Sequence, residues 1–337
     1  MRKPQVQAMQ TSSNRARTQS RVLLAIVATF ALILVIFLAM MITGAVKSVQ
    51  KPKDHDDPGS KQDDTKNPEN PDDPGDQTDP SPTPLTVDMP AAKINEGMLI
   101  PVNATHVYHF PATNVRLVNM YNSLVAAKTL GKNYQLRDAT LQLDKDAFGA
   151  LDRMLTDFAE VSGHSDVQVK TAYRSKEQQD ALNTATKGGY SEHHTGLCVA
   201  LNVLNAQGKT LALSSSEDYN WLYENCYRYG FVVRYPATKS AITGVSDYEE
   251  CFRYVGYIHA YIMKQNDMCL EEYLTYLRGY SAGETTALSM TGDDGNDYRI
   301  YYVPATGENT KIPVPENDPY TVSGDNESGF IITVTLS

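Results

Sequence analysis

Five side chains in the second half of the sequence have the chemistry of a binding or catalytic site. They are Arg174, His193, Cys198, Tyr248 and Cys251. A guanidinium binds a carboxylate through two parallel hydrogen bonds, and imidazole and thiolate are both ligands of zinc. A tyrosine hydroxyl has an ordinary pKa near 10, so at neutral pH it is a proton donor and a poor proton acceptor. Carboxylate binding and zinc binding are therefore the chemistries to test.

Helical and alternating hydrophobic patterns place these side chains on a mixed framework. The patterns do not repeat as strand–helix–strand units, which predicts an α+β fold with a mainly antiparallel sheet and flanking helices. Strand alternation puts Cys198, Ala200 and Asn202 on one face. The predicted helices are 146–162, 176–185, 221–229, 258–265 and 270–277, and the predicted strands are 167–172, 198–203, 231–235 and 252–255.

The C-terminal region, residues 281–337, contains two further alternating runs, at 298–303 and 329–335. They predict a small β extension, either packed on the core or forming a separate lobe. The core domain is expected to span residues 91–280. No internal repeat is visible.

The N-terminal 90 residues divide into three predicted segments. Residues 1–21 are basic, and Val22–Val46 carries no charge and is long enough to span a bilayer as a helix. A cleaved signal peptide is the rival interpretation, although its apolar core is typically about 7–15 residues. The basic flank predicts a cytoplasmic N-terminus, which puts the rest of the chain outside the cell. Residues 47–90 are rich in Asp and Pro and predict a disordered linker.

Charge and cysteine content limit the partners and the covalent chemistry. A formal net charge of −10 disfavours nucleic acid, because phosphate binding needs a basic face. Four cysteines outside the membrane permit disulfides, and spacing does not choose among the three possible pairings. The four are Cys198, Cys226, Cys251 and Cys269.

Three motifs, in order, resemble those of the VanY-type D-alanyl-D-alanine carboxypeptidases, zinc peptidases of bacterial cell-wall metabolism. Ala172-Tyr-Arg-Ser175 with Gln178 resembles the family's Gly-Tyr-Arg-Ser and its downstream Gln. Ser191 to Ala200 lies on Ser-x-His-x-x-Gly-x-Ala-x-Asp. Tyr248 to Gly256 lies on Glu-Pro-Trp-His-x-Arg-Tyr-Val-Gly. The resemblance covers about residues 160–280.

The resemblance implies a role for each matched position. Arg174 matches the carboxylate-binding Arg, Gln178 and Ser191 match substrate-binding positions, and His193 matches the first metal ligand. Three positions depart from the family: Ala200 replaces the Asp ligand, Cys251 the second His ligand, and Tyr248 the general-base Glu. Alanine cannot bind a cation, and losing the base alone removes about 10²–10⁴-fold in rate.

Two cysteines leave the state of the metal site open. Cys198 and Cys251 could approach His193 and rebuild a soft set of zinc ligands. They could instead form a disulfide, or be small buried apolar residues. No cofactor is expected unless the site is rebuilt, in which case the family implies zinc.

The combined interpretation is a single-pass, membrane-anchored, extracellular pseudoenzyme that binds peptidoglycan stem peptides or another cell-wall component. The alternative is a divergent zinc carboxypeptidase that trims wall peptides with rewired ligands. A structural anchor acting through its β tail is a third hypothesis. Among the remaining polar residues, we expect Arg234 and Arg253 to anchor the fold, His259 to pack, and His194 to lie at the surface or behind the site.

Overall fold

The computed structural model describes residues 85–112, 116–246 and 248–337, all within one compact unit, Thr78–Ser337. The predicted membrane span and all of the predicted linker before Leu85 lie outside the described residues. No helix in the described part of the chain is long and apolar enough to cross a membrane.

Strands and helices alternate irregularly along the chain. The strands are β1 Thr86–Pro90, β2 Leu117–Asn119, β3 Gln135–Leu136, β4 Gln142–Asp144, β5 Val167–Thr171, β6 Cys198–Leu204, β7 Thr210–Leu211, β8 Phe231–Val233, β9 Cys251–Tyr254, β10 Leu288–Thr291, β11 Asp297–Pro304, β12 Asn309–Pro313, β13 Tyr320–Gly324 and β14 Gly329–Leu336. The α-helices are α1 Met120–Ala127, α2 Lys145–Ser162, α3 Lys176–Ala181, α4 Asn220–Asn225, α5 Ser240–Thr243, α6 Tyr257–Gln265 and α7 Leu270–Leu277.

A six-stranded sheet forms the centre of the domain, in the order β3-β5-β6-β9-β8 with β7 paired to β6. The β3–β5 pair is parallel and the other pairs are antiparallel, which confirms the predicted α+β class. One face of β6 presents Val199, Leu201 and Val203 to the main core, into which α2 also packs. Alternation leaves Cys198 and Ala200 for the opposite face.

The opposite face of the sheet carries a row of three side chains from three strands. Ala200 on β6 pairs with Thr171 on β5 and with Cys251 on β9. The β5–β6 register shifts between Val169 and Thr171. Such a bulge bends a strand and re-aims the residues that follow it. After β5, the chain therefore bends and continues through Ala172 and the motif that contains Arg174, beside these three side chains.

The C-terminal region forms its own antiparallel sheet, in the order β10-β11-β14-β13. Its buried side chains share one hydrophobic cluster with α6 and α7, so it packs on the core. The shared cluster includes Tyr298, Ile300, Tyr302 and Ile331 from this sheet, and Ile258, Ile262, Leu270 and Leu274 from the two helices.

Two expectations on chain segments are corrected by the structure. Thr86–Pro90, assigned to the linker, forms β1 and pairs with β12, with Val87 and Met89 packed against a cluster of the C-terminal region. The predicted helix 221–229 is α4 followed by a 3₁₀ turn, Cys226–Tyr229, that ends at Gly230.

Candidate functional site

His193 occupies the centre of the site in a fixed orientation. It lies in a 3₁₀ turn, Glu192–Thr195, between Ser191 and Gly196, and its ring is buried. Its Nδ1 lies 2.8 Å from the carbonyl oxygen of Ala172, and a carbonyl can only accept, so Nδ1 carries the proton. The lone pair of the neutral ring is therefore on Nε2. Burial, together with the charge of Arg174, lowers the pKa of His193 to about 3, so the ring is neutral at physiological pH.

Tyr248 places its hydroxyl 2.9 Å from Nε2 of His193. Because Nε2 is the unprotonated nitrogen, the phenol donates this hydrogen bond. The Tyr248 ring stacks on Tyr235 at 5.8 Å between centroids, and burial raises the pKa of its hydroxyl far above the usual value. At the position where the family's general base stands, the chain therefore presents a proton donor that stays neutral.

Cys198 and Cys251, whose approach to His193 the sequence left open, both lie beside it. His193, Cys198 and Cys251 are all buried, and their ligand atoms lie within 4.8 Å of one another. Burial, followed by a hydrogen bond with Cys198, raises the pKa of the Cys251 thiol well above its usual value. All four cysteines are free and buried, so the pair is a thiol contact and not a disulfide in this structure.

These residues fit a thiophilic cation better than they fit the family's catalytic centre. The methyl group of Ala200 supplies no donor, but Cys198, two residues earlier on the same face of β6, supplies one. One imidazole and two thiolates match a zinc-binding set. The described cluster contains no carboxylate, so a proton acceptor beside a metal-bound water is missing.

Arg174 lies half-buried beside the cluster, and three contacts position it. Its Nη1 donates to Oε1 of Gln179 at 2.6 Å, and its Nη2 donates to Oγ1 of Thr171 at 3.2 Å. Its carbonyl accepts from Nδ1 of His194 at 2.7 Å. Its positive charge acts on Tyr248, Cys198 and Cys251 alike. The guanidinium is therefore close to the cluster, and its contacts are neutral oxygens that leave its charge uncompensated.

Gln178, predicted to bind substrate, closes the N-terminal end of α3 in the structure. Its side chain accepts from the backbone N–H of Ser175 at 2.8 Å, closing a capping box on α3, and it is exposed. The next residue, Gln179, is buried and holds Arg174. The Ser-x-x-Gln spacing of a capping box is the sequence signal that would have placed Gln178 at the helix end.

A buried network of charges supports the turn that carries His193. Glu192 accepts from Nε of Arg234 at 2.7 Å and also pairs with Nη1 of Arg253. Arg234 pairs with Glu271 of α7 at 2.6 Å, and Arg253 donates to the carbonyls of Met98 and Ile100. The anchoring predicted for both arginines is confirmed. Sequence reasoning missed Glu192, although a carboxylate inside a strongly matched motif was a usable signal.

Three further predicted residues have defined positions. Ser191 is buried directly before the turn of His193. His194 is also buried, so of its two predicted positions the one behind the site applies: its Nε2 accepts from the backbone of Gly189 at 2.9 Å. His259 is buried between Tyr273 and Thr333, as its packing role requires.

Comparison with known proteins gives one consistent set of matches. Residues 140–257 match the family model VanY, described as D-alanyl-D-alanine carboxypeptidase. A D-alanyl-D-alanine carboxypeptidase of Enterococcus faecium is 30% identical over 250 residues, which cover 72% of this chain and 76% of that protein. A D-alanyl-D-alanine carboxypeptidase of Enterococcus faecalis (strain ATCC 700802 / V583) is 46% identical over 86 residues, 26% of this chain and 30% of that protein.

One solved structure extends the match across most of the described chain. The vancomycin resistance D,D-dipeptidase VanXYg, in complex with a D-Ala-D-Ala phosphinate analog, superposes with a TM-score of 0.64 at 26% identity. The match covers 75% of this chain and 100% of that chain.

Proposed function

Since this chain belongs to the VanY family of D-alanyl-D-alanine carboxypeptidases, we propose that it binds the D-alanyl-D-alanine end of peptidoglycan stem peptides without hydrolysing it. Of the family's two tasks, peptide recognition and hydrolysis, the chain keeps residues for the first and has replaced residues for the second.

The observation that carries the proposal is the hydrogen bond from Tyr248 to His193. Hydrolysis requires a group that takes a proton from water near pH 7. The phenol at this position donates a hydrogen bond to Nε2, and burial keeps it protonated. With Ala200 in place of the Asp ligand, the site lacks both the proton acceptor and the family's donor set.

Peptide recognition is supported by Arg174 and by the structural relative. A guanidinium has five N–H donors, and two of them can pair with a terminal carboxylate in a bidentate manner. Gln179 and Thr171 hold the Arg174 guanidinium without neutralising its charge. VanXYg, whose fold this chain shares, was solved with a D-Ala-D-Ala phosphinate analog.

The location we propose follows from the N-terminal sequence. Val22–Val46 anchors the chain in the cell membrane with its N-terminus in the cytoplasm, and residues 47–84 hold the domain outside, within reach of the wall. The partners are therefore wall peptides and the membrane.

Calorimetric titration of the protein with a pentapeptide ending in D-Ala-D-Ala tests the proposal. We expect binding by the wild type and about ten- to hundredfold weaker binding by Arg174→Ala, because a charge-assisted pair is worth about 1.5–3 kcal/mol. Arg228→Ala is the matched control, since Arg228 is an exposed guanidinium that lies over the Tyr227 ring.

Two results would contradict the proposal. Absence of binding in both wild type and Arg174→Ala removes peptide recognition. Release of D-alanine by the wild type, with loss of release in Cys251→Ala, establishes the divergent carboxypeptidase instead.

A further inference from the structure

We propose that His193, Cys198 and Cys251 form a zinc site of a new composition, which stabilises the binding cleft and does not hydrolyse peptide. The inference concerns the same site as the proposed function but does not depend on peptide binding. Two of its three donors differ in type from the family's ligands, and Cys198 lies at a position where the family has no ligand.

The separation of the donor atoms is close to what zinc requires. Zn–S bonds of about 2.3 Å and Zn–N bonds of about 2.0–2.1 Å place tetrahedral ligand atoms roughly 3.5–3.8 Å apart. The three donor atoms here lie within 4.8 Å of one another. Shortening the separations between these donor atoms by about 1 Å, which side-chain rotation can achieve, brings all three within bonding distance of one ion.

The imidazole is already prepared as a ligand. Metal-binding histidines donate their other ring N–H to a carbonyl or carboxylate, which fixes both the tautomer and the ring orientation. Nδ1 of His193 makes this bond to Ala172 at 2.8 Å, which leaves the Nε2 lone pair for an ion. That lone pair accepts from the Tyr248 hydroxyl in this structure, so a bound ion takes the place of that hydrogen bond. The orientation is therefore independent of any ion.

Strand register explains how a lost ligand was replaced. Ala200 and Cys198 point to the same face of β6, and Cys251 on β9 lies directly opposite Ala200. A donor moved by two residues along β6 thus stays on the face of the sheet that carries Cys251. The number of protein donors remains three, as in catalytic zinc sites generally.

The charge of the three donors and the softness of their ligand atoms determine which ion the site binds. Two thiolates neutralise one divalent cation, and the guanidinium of Arg174 lies close enough to interact with both sulfurs. Thiolate and imidazole ligands suit zinc, whereas magnesium and calcium require oxygen ligands. The walls of the site are the apolar parts of Tyr235, Val245 and Tyr248.

Metal content of the full-length chain, solubilised in detergent and dialysed against zinc-free buffer, tests the site. We expect one zinc ion per wild-type chain and at least about a tenfold lower content in Cys198→Ser and Cys251→Ser. Cys226→Ser and Cys269→Ser are matched controls, because these two cysteines are also free and buried but lie outside the cluster. Both controls should keep the ion.

A second measurement does not depend on the folding of any variant. Wild-type protein loaded with Co²⁺ should show thiolate-to-cobalt charge-transfer absorption in the near ultraviolet, and added Zn²⁺ should abolish it. Absence of this band, or equal zinc content in wild type and the Cys198 and Cys251 variants, overturns the site. A Cys198–Cys251 disulfide found by peptide mapping of the freshly isolated protein also overturns it.

The two proposals fail in distinguishable ways. Zinc without peptide binding supports the metal site and removes the recognition function. Peptide binding without zinc supports the recognition function and removes the metal site. Release of D-alanine by the zinc-loaded chain supports the ion but contradicts its non-hydrolytic role.

Discussion

At the scale of single residues, Tyr248 departs from the family pattern by reversing the direction of a hydrogen bond. A glutamate beside a metal-bound water accepts a proton, whereas the phenol of Tyr248 donates a hydrogen bond to His193. The replacement at position 248 does not change the contacts of Arg174, because these contacts come from β5 and α3 and not from the strand that follows Tyr248. Recognition and catalysis are therefore built from separate segments and can be lost separately.

Restoring the family's three residues should restore hydrolysis. In the triple variant Ala200→Asp, Tyr248→Glu and Cys251→His, the carboxylate and imidazole ligands and the base return to an otherwise matching framework. We expect D-alanine release from a pentapeptide that the wild type does not cleave, measured by a coupled assay for D-alanine. The matched control carries Gln instead of Glu at position 248 and should be slower by about 10²–10⁴-fold, the contribution of a general base. A folded, zinc-loaded triple variant without turnover would show that other positions also block catalysis.

Much of the site could be predicted from residue types and motif order, and the exceptions have physical causes. Motif order predicted that Arg174 and His193 share one site, and strand alternation made the approach of the two thiols one of three open alternatives, which the structure shows. Motif matching selected Gln178 and missed the contact of Gln179 with Arg174, because in a helix a shift of one residue turns a side chain by about 100°. Gln179 lies on the buried side of α3 and Gln178 does not.

At the scale of elements, His259 connects the carboxypeptidase-like core to the C-terminal sheet. Its Nδ1 meets the hydroxyl of Tyr273 on α7 at 2.8 Å, and its Nε2 meets the hydroxyl of Thr333 on β14 at 3.0 Å. Both bonds lie among buried apolar side chains. A charged imidazole would be unfavourable there, and burial lowers the pKa of His259 to about 3.

This histidine should make stability depend on pH in a defined direction. Above pH 6.5 the ring is neutral in the folded and unfolded chains, and its contribution is fully present. As the pH falls from 6.5 toward 3, the unfolded chain binds a proton that the folded chain does not, so stability falls by about 1.4 kcal/mol per pH unit for each such histidine. The lowered pKa of His193 makes stability fall with decreasing pH in the same way.

Replacement of His259 by Gln measures the contribution of this histidine to the pH dependence of stability. Urea unfolding of His259→Gln and wild type between pH 4 and pH 7.5 should show a shallower decline for the variant, by about 1.4 kcal/mol per unit between roughly pH 6 and pH 4. Glutamine can still donate to one hydroxyl and accept from the other, so the loss at pH 7.5 should be small. Parallel curves would show that His259 is protonated in the folded protein.

Local sequence predicted the elements that depend on local signals and missed those that depend on distant partners. The amphipathic pattern of α2, with Asp144 as N-cap and Gly163 as C-cap, made its bounds predictable. Thr86–Pro90 is too short and too polar to predict a strand by itself. It becomes β1 because β12, far along the chain, supplies its hydrogen-bond partners.

At the scale of the whole molecule, composition divides the chain into a part that folds and a part that connects. The residues before Leu85 are acidic and rich in proline, and Val22–Val46 has the length and composition expected of a membrane span. Our proposal puts the described domain on the side of the membrane opposite the basic tail. The proposal that it meets wall peptides depends on this orientation.

The burial of all four native cysteines makes this orientation measurable with introduced thiols. In intact cells, a membrane-impermeant maleimide should label Ser60→Cys in the linker and leave Ser13→Cys in the basic tail unlabelled until the cells are permeabilised. Wild-type protein, treated identically, should remain unlabelled because its thiols are inaccessible. Labelling of Ser13→Cys from outside would reverse the topology, and recovery of a mature chain that lacks position 13 would indicate a cleaved signal peptide. Labelling at Ser60 alone, with the tail protected, places the Arg174 cleft on the side of the membrane where D-alanyl-D-alanine peptides are exposed.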